Sequence, residues 1–163
     1  MIKYLIFTLC FFIVAGLSGI EIEKIVVEGN LRTEPSVVEA PFSKKKNLTE
    51  EEIDKILKGI IDLNIFEDIS VYYEPGPKIL KIKVVEFPVI SSVSFTGNKK
   101  IDDDDIKEIV TVRKGELLDE NKIDRTVERI MELYRDKGYL MTYVTYDLKK
   151  NDKKREATLE FKI

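Results

Sequence analysis

Apolar positions along this chain follow two spacings in a fixed order, and the whole order occurs twice. The first round opens with alternation through Ile25 and Val27 that closes on Gly29-Asn30, predicting a strand that ends in a turn. Thr33-Glu34-Pro35-Ser36 then reads as a helix start, with Thr33 as N-cap and Pro35 in the first turn, where a missing N–H costs nothing. That helix is short, carrying Val37, Val38 and Ala40 before Pro41 stops it. Thr49-Glu50-Glu51-Glu52 is a capping box, and behind it Ile53, Ile56, Leu57, Ile60 and Ile61 keep one apolar stripe at helical spacing. Asn64 suits the left-handed residue after the helix and Phe66 turns into the core. Alternation returns at Ile69, Val71 and Tyr73. Glu74-Pro75-Gly76-Pro77-Lys78 is turn chemistry, answered by a strand through Leu80, Ile82 and Val84 that ends at Phe87-Pro88. The predicted order is β-α-α-β-β.

The second round keeps the order with different residues. Sliding the chain by 68 residues lays Ile25, Val27, Gly29 and Asn30 on Val93, Phe95, Gly97 and Asn98. A strand through Ile90, Val93 and Phe95 leads into four aspartates, Asp102 to Asp105, which open a short helix carrying Ile106, Ile109 and Val110. Lys114-Gly115 makes a loop, and Asp119 caps a second helix with the stripe Ile123, Val127, Ile130, Met131 and Tyr134. Gly138 ends it, Tyr139 takes the place of Phe66, and strands over 143–147 and 158–163 flank a polar turn. The fold class is α+β: two tandem β-α-α-β-β units, at 20–87 and 88–163, each near the size at which a core only just suffices. The last strand stops where the first copy runs on to Val85-Glu86-Phe87-Pro88, so a further unit or another domain is expected next.

Residues 1–19 stand apart. Lys3 supplies a positive charge, Tyr4 to Gly16 is apolar apart from Thr8, and small residues surround Ser18, the layout of a cleaved signal peptide. A retained anchor is the alternative, since the apolar run only just reaches membrane-spanning length. Either way the body of the protein is exported.

Composition removes whole classes of chemistry. The chain has no histidine and one cysteine, Cys10 in the leader, so it holds no histidine-dependent triad and no His or Cys metal centre. Lys and Arg number 27 against 30 Asp and Glu, a mixed surface with no basic stripe for nucleic acid. Asp102 to Asp105 lack the glycine and distal glutamate of a calcium loop and belong to a helix N-terminus, so no metal is assigned. Lys44-Lys45-Lys46 reads as a solvated loop. No carboxylate pair sits in an apolar setting that would tune it for catalysis; no enzyme, no catalytic residue and no cofactor is expected.

Three phrases carry a resemblance: the junction Glu86-Phe87-Pro88-Val89-Ile90 with its following Gly97-Asn98, the helix exit Leu63-Asn64-Ile65-Phe66-Glu67-Asp68-Ile69, and the exit Tyr134-Arg135-Asp136-Lys137-Gly138-Tyr139. Everything after the leader resembles tandem polypeptide-transport-associated (POTRA) domains of the BamA-type outer-membrane assembly family, without the C-terminal barrel. The resemblance implies a periplasmic location at the outer membrane and a three-stranded mixed sheet under two helices. It implies as partners unfolded outer-membrane β-barrel precursors, assembly accessory lipoproteins, and an outer-membrane β-barrel in cis if the chain is a fragment and in trans otherwise. It also places the exposed edge on the second strand of each unit, Ile69, Ser70, Val71, Tyr72 and Tyr73 in the first and Tyr143, Val144, Thr145, Tyr146 and Asp147 in the second.

An unpaired sheet edge is a row of backbone donors and acceptors that an extended client can join whatever its side chains. Alternation points Tyr73 and one of Tyr143 and Tyr146 under the helices and leaves the other tyrosines for transient grip. Phe87, Pro88 and Val89 leave so few residues between strands that they act as an inter-domain hinge. The function expected is therefore a non-enzymatic module that binds precursors or assembly partners by strand addition. The competing reading is a membrane-anchored cell-division protein of the FtsQ type or a two-partner-secretion protein, which retention of the leader would favour.

Overall fold

In a computed structural model of the protein the described residues are 19–44 and 46–163, so the leader predicted at 1–19 lies outside them except for Gly19. The chain divides into two compact units between Glu86 and Phe87. In the first, the elements are β1 (Ile20–Glu21), β2 (Lys24–Glu28), α1 (Pro35–Glu39), β3 (Asn47–Leu48), α2 (Glu50–Ile61), β4 (Phe66–Glu74) and β5 (Ile79–Glu86). In the second they are β6 (Val89–Thr96), α3 (Asp103–Ile109), α4 (Glu120–Asp136), β7 (Thr145–Asn151) and β8 (Glu156–Lys162). Each unit thus carries the β-α-α-β-β order read from the sequence, and its sheet is mixed: β2-β5-β4 in one and β6-β8-β7 in the other, the last strand central. The central strand runs parallel to the first and antiparallel to the second.

Strand alternation sets which sheet face is buried. In β5, Leu80, Ile82 and Val84 are buried while Lys83 is exposed, and in β8 Ala157, Leu159 and Phe161 are buried. The helices supply the matching stripes, Ile53, Leu57 and Ile60 from α2 and Ile123, Ile130 and Tyr134 from α4. A bulge between Ile90 and Ser92 explains an irregularity in the sequence pattern. Ile90 and Val93 are three apart, which strict alternation would send to opposite faces; the extra residue re-phases the strand so that Ile90, Val93 and Phe95 all join the core.

The repeated Gly-Asn has a physical cause. Gly29 and Gly97 have φ of +87° and +84°, and a Cβ on either would meet the carbonyl oxygen of Val84 at 2.2 Å or of Ile163 at 2.1 Å. The following asparagine ties the turn, Asn30 Nδ2 donating to Thr33 O at 2.9 Å and Asn98 Nδ2 to Ile101 O at 3.2 Å.

Three local expectations are corrected. The N-cap of α1 is Glu34, and Thr33 instead bonds Glu86 through its hydroxyl as well as its N–H, the latter at 2.8 Å. The second strand of the second unit begins at Thr145, so Tyr143 and Val144 precede it. The register sets Thr145 opposite Lys162, and the residues before Thr145 have no partner on β8. Tyr139 does not occupy the place of Phe66: it is 40% exposed where Phe66 is 5% exposed. Residues 62–65 join α2 to β4, but the longer 137–144 joins α4 to β7, and Val144 drops into the core instead. The capping box of Thr49 and Glu52, the left-handed Asn64 and the N-cap Asp119 stand as read.

Candidate functional site

The three-stranded order leaves two flanks in each sheet, and the loop between the helices lies near the start of the first one. In the first unit that loop supplies β3, which pairs with β1, and Ile22 N–H donates to Lys46 O at 2.8 Å. In the second, Ile90 N–H donates to Glu116 O, Gly115 N–H to Ile90 O and Leu118 N–H to Pro88 O, each at 2.8 Å. The loop therefore occupies the outer side of the first strand at its start. Among the described residues no strand pairs with the outer flank of β4 or of β7, nor with that of β2, and β6 meets only an isolated bridge from Val89 to Leu117.

Ile69, Ser70, Val71, Tyr72 and Tyr73 all lie in β4. Ile69, Val71 and Tyr73 pack against the core, and the Tyr73 hydroxyl donates to Glu21 O at 2.8 Å; Tyr72, on the other face, is 50% exposed. Thr145, Tyr146 and Asp147 lie in β7, with Tyr146 packed on the core and edge-on to Phe161. Of the two residues outside the strand, Val144 is buried and Tyr143 is 76% exposed. Burial pushes the Tyr146 phenol up, with the Asp124 and Glu120 carboxylates adding to it. Asp124 borders a groove of about 410 Å³ beside β7, lined with it by Val127, Glu128, Val144, Thr145 and Tyr146.

At the junction, Val89 is the first residue of β6, with its N–H donating to Arg155 O at 2.9 Å, and Pro88 O accepts from Leu118. Phe87 alone separates β5 from residues bonded into the second unit. Asp102 to Asp105 lie at the start of α3, where Asp103 accepts from Asn98 and Asp104 pairs with Lys107 at 2.9 Å. Among the described residues no group of three or more acidic, Cys or His side chains is placed to hold a metal, and no helix is long and apolar enough to cross a membrane.

Sequence reasoning missed Glu86, which is 2% exposed. Its carboxylate accepts from the backbone N–H groups of Leu31 at 3.0 Å, Arg32 at 2.9 Å and Thr33 at 2.8 Å, and pairs with the Arg32 guanidinium at 3.1 Å. Burial alone would push its pKa up; the backbone donors of Arg32, Thr33 and Leu31 and the Thr33 hydroxyl outweigh that and hold it low. The signal was present in the alternation, because Glu86 shares the phase of Leu80, Ile82 and Val84.

Two mixed three-stranded sheets, each packed against helices, also occur in known proteins. The POTRA family, described as surface antigen variable number repeat, matches residues 88–163. The outer membrane protein assembly factor BamA of Nitratidesulfovibrio vulgaris is 28% identical over 150 residues, 90% of this chain and 19% of that protein. BamA of Neisseria meningitidis serogroup B is 28% identical over 135 residues, 80% of this chain and 17% of that protein. The chain thus spans about a fifth of the length of these relatives. The N-terminal domain of Omp85 from Thermosynechococcus elongatus shares the fold with a TM-score of 0.54 at 22% identity, covering 86% of this chain and 61% of that one. The second unit is a POTRA domain. It is similar in sequence to the outer membrane protein assembly factors named above, and the first unit repeats its architecture.

Proposed function

We propose that this chain is a periplasmic module of outer-membrane protein assembly that binds unfolded β-barrel precursors, assembly partners, or both, by taking an extended segment onto the open flanks of β4 and β7. The carrying observation is that the outer flanks of β4 and β7 meet no strand along their length among the described residues, while the inter-helix loop bonds to the chain before β2 in the first unit and to the start of β6 in the second. Backbone pairing reads no side-chain sequence, which suits a module that accepts many strands weakly. The names of the relatives, outer membrane protein assembly factors, favour the same reading. Under it the chain has no catalytic role. Accessory lipoproteins and an outer-membrane β-barrel, in cis or in trans, are its partners, and Phe87, Pro88 and Val89 form the hinge between units.

The test is an amide-resolved titration of the full chain with a peptide copied from one β-barrel strand. The expected result is shifted and newly exchange-protected amides in β4 and β7. Changes confined to β2, β6 or the helices would refute strand addition at these flanks.

A further inference from the structure

The groove beside β7 is not neutral. Asp124 and Glu128 stand one turn apart on α4, both exposed, and no ion pair among the described residues engages either. They continue a row at four-residue intervals that includes Glu120 and Glu132. At one end of the row Lys150 of β7 reaches Glu120, Nζ to Oε1 at 3.3 Å, so a cation borne on a strand at this edge finds an acid on α4. Below the acids the groove is apolar, with Val144 buried and Val127 half-buried. The first unit carries another charge in the same place. Matching the N-caps Thr49 and Asp119 lays Glu50, Asp54, Lys58 and Asp62 on Glu120, Asp124, Glu128 and Glu132, so a lysine stands where the second unit has Glu128.

We propose that the groove between α4 and β7 selects its occupant: an extended segment that pairs with β7, lays apolar side chains over Val127 and Val144, and sets a lysine or arginine against Asp124 and Glu128. This rests on the strand-addition reading and adds a chemical preference that the first unit lacks. Complementary charge at a rim gives specificity and encounter rate more than raw affinity, so the discrimination is moderate and falls with salt.

The test uses the full chain and three peptides of one alternating apolar sequence, differing only in a central Lys, Thr or Glu. Each is titrated at low and high salt with amide spectra recorded throughout. The lysine peptide binds roughly fivefold tighter than the glutamate peptide at low salt, about the effect of exposed ion pairs, and the gap closes at high salt. In the Asp124→Asn/Glu128→Lys double variant, whose native spectrum verifies the fold, the preference vanishes or reverses. Equal affinities with β7 amides shifting would overturn the charge selection and leave strand addition standing. No β7 shift with any peptide would overturn both, and a preference that survives in the double variant would remove these two residues as its source.

Discussion

Replacing Glu86 by glutamine removes a buried negative charge while keeping the shape of the side chain. In the native protein that charge holds the N–H groups of Leu31, Arg32 and Thr33 and the Arg32 guanidinium, fastening the end of β5 to the turn before α1. Hydrogen bonds to a charged group contribute about 1.5–3 kcal/mol each, and breaking a buried pair costs about 3–5 kcal/mol. The glutamine oxygen can still accept from part of the set, so E86Q should cost the first unit about 2–3 kcal/mol and E86A about 3–5 kcal/mol. A unit of this size has roughly 3–10 kcal/mol of stability, so the alanine variant approaches unfolding. With a urea slope of about 1 kcal/mol/M for so small a unit, E86Q lowers its midpoint by about 2–3 M. Amide spectra across a urea series read the two units separately, and the midpoint of the second unit stays in place. Acid gives an independent reading. The folded-state pKa of Glu86 lies below the ordinary glutamate value, so its contribution is complete above that value and is lost as pH falls through the lower one. E86Q lacks that acid-sensitive part. A midpoint for E86Q within about 0.5 M of the parent, or an unchanged acid dependence, would refute the role of the carboxylate.

Gly97→Ala forces a Cβ onto the carbonyl of Ile163 at a left-handed backbone position and should cost the second unit about 1–3 kcal/mol, read from its thermal or urea midpoint; a neutral substitution would show that the strand can move aside. In β7, adjacent residues point their N–H groups alternately toward β8 and outward. Of Thr145→Pro and Tyr146→Pro, one should therefore weaken the sheet, and the other should keep the fold but reduce peptide affinity. If the folded variant of the pair binds the peptide as tightly as the parent, the outer flank of β7 is not the docking edge.

Much of this molecule is legible without coordinates because its signals are local. The capping box at Thr49, the stripe from Ile53 to Ile60, the turn at 74–78 and the two Gly-Asn endings depend on neighbours a few residues away, and they suffice to write the β-α-α-β-β order twice. What depended on distant partners stayed hidden. Thr33 reads as a cap, but its hydroxyl and N–H are both turned to Glu86, 53 residues on. Strand β7 starts late because its register on β8 leaves Tyr143 and Val144 unpaired, and alternation along one strand carries no register. The partly covered flank is likewise a tertiary result: the sequence determines three strands and two helices per unit, but only folding brings residues 115–118 against the start of β6 and residues 46–48 against the chain before β2, while no strand meets the outer flank of β4 or β7. Periodicity records which face of an element is dry; which edge is left without a partner depends on where the rest of the chain has gone.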